Sequence, residues 1–171
     1  MKIFRTKNDI VNFWLDVILI TAFLSGLCFI FFWPARVAGN SMAPSINMGD
    51  QLIISRFLGN FGSLSQGDVV IAQIEINGRT ENIIKRVAAV PEDHLIITGD
   101  TLFINGVLQD WPFLVGNNIF VDIILGTGEY FLLGDNTAIS SDSRHFGPVT
   151  RQQISSRILL RYFPLSVIEI F

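Results

Sequence analysis

Lysine is nearly absent from this chain: beyond residue 7 there is only one, Lys85. Cysteine occurs once, as Cys28, so no intramolecular disulfide can brace the fold, and any domain must rest on its core. The two histidines, His94 and His145, stand far apart, and no second cysteine joins them. No metal-ligand spacing results, metal catalysis is not expected, and nothing implies a cofactor. Charge is also scarce, at 16% of residues, against roughly a quarter in an average soluble domain. With a net charge of −3 and no basic cluster, the composition argues against a nucleic-acid partner.

What is abundant is apolar: half of the 171 residues, including 15 Phe. The excess is concentrated in WLDVILITAFLSGLCFIFFW, Trp14 to Trp33, twenty residues whose single charge is Asp16 near the start. As a helix this run spans about 30 Å, the thickness of a bilayer's hydrocarbon core. Tryptophan at both ends suits the two interfaces. Lys2, Arg5 and Lys7 precede it, and Arg36 is the only basic residue closely following it. That asymmetry places the N-terminus in the cytoplasm. A cleavable export signal would have a shorter apolar region ending in a small-x-small site. This run ends in FFWPARVAG, with bulky or charged residues where small ones are needed. The expected organisation is a cytoplasmic tail (1–13), a single-pass transmembrane helix (14–33) with the lipid bilayer as its partner, and an extracytoplasmic domain (34–171).

Past residue 34 the pattern changes to short apolar stretches between turn residues. Candidate strands are 51–55, 68–76, 82–90, 95–98, 101–104, 130–133 and 158–162. Asn77-Gly78 is a strong hairpin signal, since both residues tolerate positive φ. Gly99-Asp100 and Asn105-Gly106 add two tight turns. No amphipathic helix of useful length is evident, and Gly116–Gly128 has no clear pattern. The fold class is therefore mainly β, a compact barrel or folded sheets behind one N-terminal transmembrane helix.

Three segments carry chemistry. In VAGNSMAPS, Ser41 lies between a glycine and a proline, on irregular backbone that can expose its hydroxyl; an ordinary loop has the same composition. In NIIKRVAAV, Lys85 lies within an apolar strand, with Ile83 and Val87 on its face and Ile84 and Arg86 on the other. An unperturbed lysine is neutral in only about one molecule in several thousand at pH 7. Desolvation lowers that pKa, and a general base must be neutral to accept a proton. An ion-paired structural lysine is the plainer reading of this strand alone. The third segment, GDNTAISSDSRHFG, is a polar, hydroxyl-rich loop following the apolar strand 130–133.

Together, in this order and behind a membrane helix, these segments resemble type I signal peptidases. GNSMAPS is similar to the family's nucleophile motif, IIKRVAAVPED to its lysine strand, and GDNTAISSDSR to its third conserved loop. Gly67-Asp68-Val69-Val70 is similar to a further segment. The resemblance implies a signal-peptidase-like antiparallel β domain carrying a Ser–Lys dyad. Ser41 would attack the scissile carbonyl and Lys85 would take its proton. It further implies that Ser140 holds the Lys85 amine through its hydroxyl. Asp142 with Arg144, and Asp135 with Arg86, would be supporting ion pairs. Val37, Ala38, Gly39, Met42, Ile83 and Ile84 would line the substrate site. The implied substrates are exported precursor proteins, cut after small-x-small sites.

Some positions depart from the family pattern. Gly39 stands where some members have a serine completing the oxyanion hole, and Ala89 and Glu92 stand where glycines are common. Ser41 lies eight residues past Trp33, so even a fully extended link keeps it within about 28 Å of the membrane edge. Rival readings are a histidine base at His145, a relative dedicated to one pilin or conjugative-transfer substrate, and a tethered domain without catalysis. The context of Ser41 is not Gly-x-Ser-x-Gly, which disfavours the first. Retention of both Ser41 and Lys85 disfavours the last.

Overall fold

The computed structural model describes residues 7–76, 78–111 and 119–171. The chain divides into two units, Met1–Trp33 and Pro34–Phe171. The first contains helix α1 (Lys7–Phe31). Within it Asn8–Leu27, of mean hydropathy 1.9 and with none of its most apolar window buried, is long and apolar enough to cross a membrane. The helix starts earlier than the expected span and stops before Trp33. Trp33 precedes Pro34, whose ring disfavours helical backbone in the residue before it. Trp33 instead opens a strand, β1 (Trp33–Arg36).

The second unit is built from strands. After β1 come β2 (Gln51–Ser55), the short helix α2 (Arg56–Phe61), β3 (Val69–Ile76) and β4 (Arg79–Ala89). Next are β5 (His94–Thr98), β6 (Thr101–Ile104), β7 (Val107–Gln109), β8 (Val121–Ile124) and β9 (Glu129–Leu133). The one-turn helix α3 (Ser143–Phe146) and strands β10 (Val149–Thr150), β11 (Ile154–Phe163) and β12 (Glu169–Ile170) complete the order. One sheet runs β1-β2-β11-β3-β4-β9-β10 with β12 also on β11, and a second runs β7-β6-β5-β8. Neither path closes on itself, so the described residues form folded sheets rather than a barrel. The pairings β3–β4, β4–β9 and β5–β6 are all antiparallel.

The hairpin at 77–78 pairs Ile76 with Arg79, with Gly78 at φ 73°; Asn77 lies outside the described residues. The β6–β7 turn has Asn105 at φ 51° and Gly106 at φ 78°, as a two-residue hairpin matching strand twist requires. Strands β7, β10 and β12, of two or three residues, escaped the sequence pattern because each is too short for a periodicity to show, and β1, β8 and helix α2 were not anticipated either. His94 opens β5 and meets Asp122 at 2.7 Å. Trp111 packs partly buried against the second sheet; Pro112, Phe113 and Leu114 lie outside the described residues.

Strand β4 links everything. Its outer part pairs with β3, Val70 opposite Lys85, and its inner end pairs with β9, Leu133 opposite Arg86. The loop that leaves β9 at residue 134 therefore starts beside Lys85. Three apolar clusters hold this frame. Val70, Ala72, Val87, Leu132 and Ile154 form one, and Ala88, Ala89, Leu95, Phe131 and Leu133 join the two sheets. Val37, Met42, Ile46, Leu52, Val69 and Ile158 form the third, under the Ser41 segment.

Helix α2 lies against β11 closely enough that a Cβ on Gly59 would stand 2.3 Å from the backbone of Ser156. Gly59→Ala should lower stability by about 1–3 kcal/mol through forced separation of the two elements. Thermal unfolding of the detergent-solubilised chain checks this, and an unchanged Tm would contradict the close packing.

Candidate active site

Ser41 sits on a tight turn whose neighbours are anchored in the core. Met42 and Ile46 are almost wholly buried, and Val37 precedes them in the same cluster. Two backbone bonds close the turn, Ala43 N–H to the Asn40 carbonyl (3.1 Å) and Ile46 N–H to the Met42 carbonyl (2.9 Å). The flanks are tied by Val37 N–H to the Asp50 carbonyl (3.0 Å) and Gly49 N–H to the Val37 carbonyl (2.9 Å). Asn136 N–H donates to the carbonyl of Ser41 itself at 3.0 Å, joining the first segment to the third. The hydroxyl is thus carried on backbone that has little freedom to move.

Lys85 is 3% exposed, and its Nζ donates to Ser41 Oγ at 2.8 Å. The two residues are 44 positions apart in sequence, and the intervening stretch holds β2, α2, β3 and half of β4. Burial pushes the amine down from 10.5 to about 8. The carboxylates of Asp142 and Asp135 pull it upward against that effect, and Arg144 adds to the lowering.

Both carboxylates are fully buried and engaged elsewhere. Arg86 grips Asp135 through Nε (2.8 Å) and Nη2 (2.6 Å), and spans to the Gly67 carbonyl at 3.0 Å. Arg144 grips Asp142 through Nε (2.9 Å) and Nη2 (3.0 Å), and also reaches the Thr137 carbonyl at 2.6 Å. Asp142 additionally accepts from Gly134 N–H at 3.1 Å and caps α3. These pairs fold the third segment back against the end of β4.

Ser140 lies in this packing at 4% exposure, but its expected bond to Lys85 is not formed. Lys85 is bonded to Ser41, and Ser140 Oγ is buried with no hydrogen-bond partner among the described residues. The residue is held through its backbone, N–H to the Asn136 carbonyl at 3.0 Å. His145 is nearly half exposed, its Nδ1 3.9 Å from Asp142, and among the described residues no hydrogen bond joins it to Ser41. With both Asp142 oxygens occupied by Arg144, a histidine-centred triad is not assembled. Among the described residues no group of three His, Cys, Asp or Glu side chains is placed to hold a metal ion.

Beside Ser41 opens a cleft of 280 Å³ whose lining includes Val37, Ala38, Gly39, Met42, Ile83 and Ile84. A Cβ on Gly39 would meet nothing within 4 Å, so the glycine leaves space where a larger side chain would fit. Glu92, where the resemblance leads one to expect glycine, adopts φ 73°, a backbone that costs a non-glycine residue roughly 1–2 kcal/mol.

Sequence reasoning missed Arg161 and Asp50. Arg161, 7% exposed, bonds the Ser45 carbonyl, Asp50 (3.2 Å), the Val167 carbonyl (2.8 Å) and Glu169 (2.7 Å). Asp50 in turn accepts from Asn47 N–H at 2.9 Å. The Ser41 turn is thereby fastened to the C-terminal strands, by residues with no local sequence signal. Gly134 opens the third segment, where the sequence alone assigns it no role. A Cβ there would stand 2.2 Å from Ser140 Oγ and 2.6 Å from the Ser41 carbonyl oxygen.

Gly134→Ala should therefore push the Ser41 turn away from Lys85. Any reaction that uses the Ser41–Lys85 pair should slow about 100-fold, the scale expected for a displacement of roughly 1 Å at a reacting group. Steady-state kcat measures it, with circular dichroism to verify folding; full kcat in the folded variant would contradict this placement.

Comparison with known proteins identifies the family. The family model described as signal peptidase, peptidase S26, matches residues 10–163. The chain is 32% identical to signal peptidase IB of Staphylococcus aureus over 153 residues, 78% of each protein. It is 30% identical to signal peptidase I of Bacillus licheniformis over 179 aligned residues, covering 95% of this chain and 94% of that one. A solved signal peptidase I from Enterococcus faecalis is similar at 25% identity and a TM-score of 0.47, over 56% of this chain and 96% of that one. The family match spans nearly the whole chain and both bacterial relatives align along most of their own length, so this chain belongs to the signal peptidase family, peptidase S26.

Proposed function

We propose that this protein cleaves signal peptides from exported precursors, with Ser41 as nucleophile and Lys85 as general base. The observation that carries the mechanism is the 2.8 Å contact between Ser41 Oγ and a Lys85 amine that is 3% exposed. That separation lies within the range required for direct proton transfer.

The steps follow from this pair. Neutral Lys85 takes the hydroxyl proton as Ser41 Oγ attacks the scissile carbonyl, giving a tetrahedral intermediate. The Ser41 N–H is one donor to its oxyanion. Lys85 then passes its proton to the departing amine, leaving an acyl-enzyme. It next takes a proton from water, whose oxygen attacks the ester, and returns that proton to Ser41 Oγ as the acyl–oxygen bond breaks, restoring the hydroxyl and the neutral amine. Once Ser41 Oγ is bound in the ester, the unpartnered Ser140 hydroxyl is available to hold the Lys85 amine. The ion pairs of Asp135 with Arg86 and Asp142 with Arg144 position the loop that carries Ser140.

The substrate's small residues, at the first and third positions before the cut, would enter the cleft lined by Val37–Gly39, Met42, Ile83 and Ile84. Helix α1 is apolar on all sides and would serve as a single-pass anchor, which needs lipid around it. Residues 1–13 would lie in the cytoplasm and residues 34–171 outside it, following the basic residues at the N-terminus. Neither nucleic acid nor a metal enters this reaction.

The full chain, reconstituted in lipid and given a precursor with an Ala-x-Ala site, tests the mechanism. Ser41→Ala, Lys85→Ala and Lys85→Arg should each lose at least about a thousandfold in kcat/KM. Arginine keeps the charge but cannot act as a base, so appreciable turnover by that variant would sink the assignment. For the wild type, protonated Lys85 is inactive, so kcat/KM should rise about tenfold per pH unit and level off above the amine's pKa of about 8. A profile that is flat from pH 6 to 9 would contradict a lysine base.

A further inference from the structure

Arg36 precedes Ser41 by five residues, and Val37, Ala38 and Gly39 between them all line the cleft beside the nucleophile. Arg36 lines that cleft too, and it is the one charged side chain among the lining residues. It also borders an adjoining cleft of 420 Å³ with Val37, Ala38, Met48 and Gly49. Other guanidiniums in this unit, those of Arg86, Arg144, Arg157 and Arg161, are neutralised by carboxylates. Among the described residues no hydrogen bond or ion pair is formed by that of Arg36.

An extended peptide advances about 3.3 Å per residue. The enzyme segment beside it, from Arg36 at the end of β1 to the turn of Ser41, is five residue steps long and so lies within a five-residue reach of such a peptide. With its scissile carbonyl at Ser41 and its upstream residues running past Gly39, Ala38 and Val37, such a peptide brings roughly its fifth residue before the cut to Arg36. The small residues of the cleavage site occupy the apolar part of the cleft, so Arg36 meets a position that they do not constrain. We propose that Arg36 is a specificity-determining residue, favouring substrates with Asp or Glu about five residues before the cleaved bond and disfavouring Lys or Arg there. This rests on the peptidase reading above and adds a charge preference to it.

Peptides sharing one Ala-x-Ala site and differing only in Asp, Gln or Lys at the fifth position before the cut provide the test. They are given to the full-length protein in phosphatidylcholine vesicles at low salt. For the wild type, kcat/KM should favour Asp over Lys by roughly threefold or more, shrinking as salt rises. The Asp-to-Lys ratio should approach one in Arg36→Gln and invert in Arg36→Glu. Because each ratio is taken within one enzyme, a general loss of activity cancels, and Arg36→Gln alone decides the matter if the charge reversal fails to fold. A ratio unaltered by either substitution overturns the proposal. So does an effect equal for all three peptides and seen only in phosphatidylglycerol vesicles, which would assign Arg36 to lipid headgroups. Failure of the wild type to cleave the Gln peptide would instead reject the peptidase reading itself.

Discussion

Removing Lys85 from water is the constraint around which the second unit is arranged. An ammonium at 3% exposure loses hydration that no carboxylate contact restores, because its hydrogen bond goes to a hydroxyl, Ser41 Oγ. Desolvation is the largest influence on this amine and brings it to about 8. At pH 7 that leaves about one molecule in ten neutral, against one in several thousand for a solvated lysine. The rest of the site has to preserve that dryness without adding a charge that would undo it.

The two buried carboxylates show how this is managed. Asp135 and Asp142 both draw the proton back toward Lys85, and alone they would return it to the charged state. Each is held by its own bidentate arginine, so what reaches Lys85 is the field of two ion pairs rather than two bare anions. The pairs also do mechanical work. Arg86 ties residue 135 to the middle of β4, and Arg144 ties residues 137 and 142 into one compact loop. The same groups that tune the charge therefore set the distance between the segments. Gly134 completes this packing, since a side chain there would collide with both Ser140 and the Ser41 backbone.

Much of the frame was legible because apolar alternation persists over several residues in β2, β3, β4 and β6, and because Asn105-Gly106 dictates its own turn. The long β11 was recognised only in its second half, since Ser155, Ser156 and Arg157 interrupt the apolar pattern where the strand pairs with β3. Two- and three-residue strands left no period to detect. The helix was legible as an apolar run, but its end was decided by Pro34, a local backbone effect that hydropathy alone does not register. At the site, motif resemblance pointed to Ser41 and Lys85, whereas Arg161, Asp50 and Gly134 act through contacts formed only on folding. The hydroxyl of Ser140, expected on Lys85, has no partner among the described residues, and the amine of Lys85 is bonded to Ser41.

By itself the sequence determined the apolar helix, a strand-rich second unit, and the chemical types available: one serine in an irregular segment, one lysine in an apolar strand, and a polar loop. These depend on composition and short-range periodicity, which are properties of the chain. Only the tertiary structure decided that the lysine is dry and that its Nζ lies 2.8 Å from the serine. It also decided that the carboxylates face arginines rather than the amine. The physical reason is that burial and electrostatic balance are sums over neighbours from distant segments, and those neighbours exist only once β4 has paired with β3 on one side and β9 on the other.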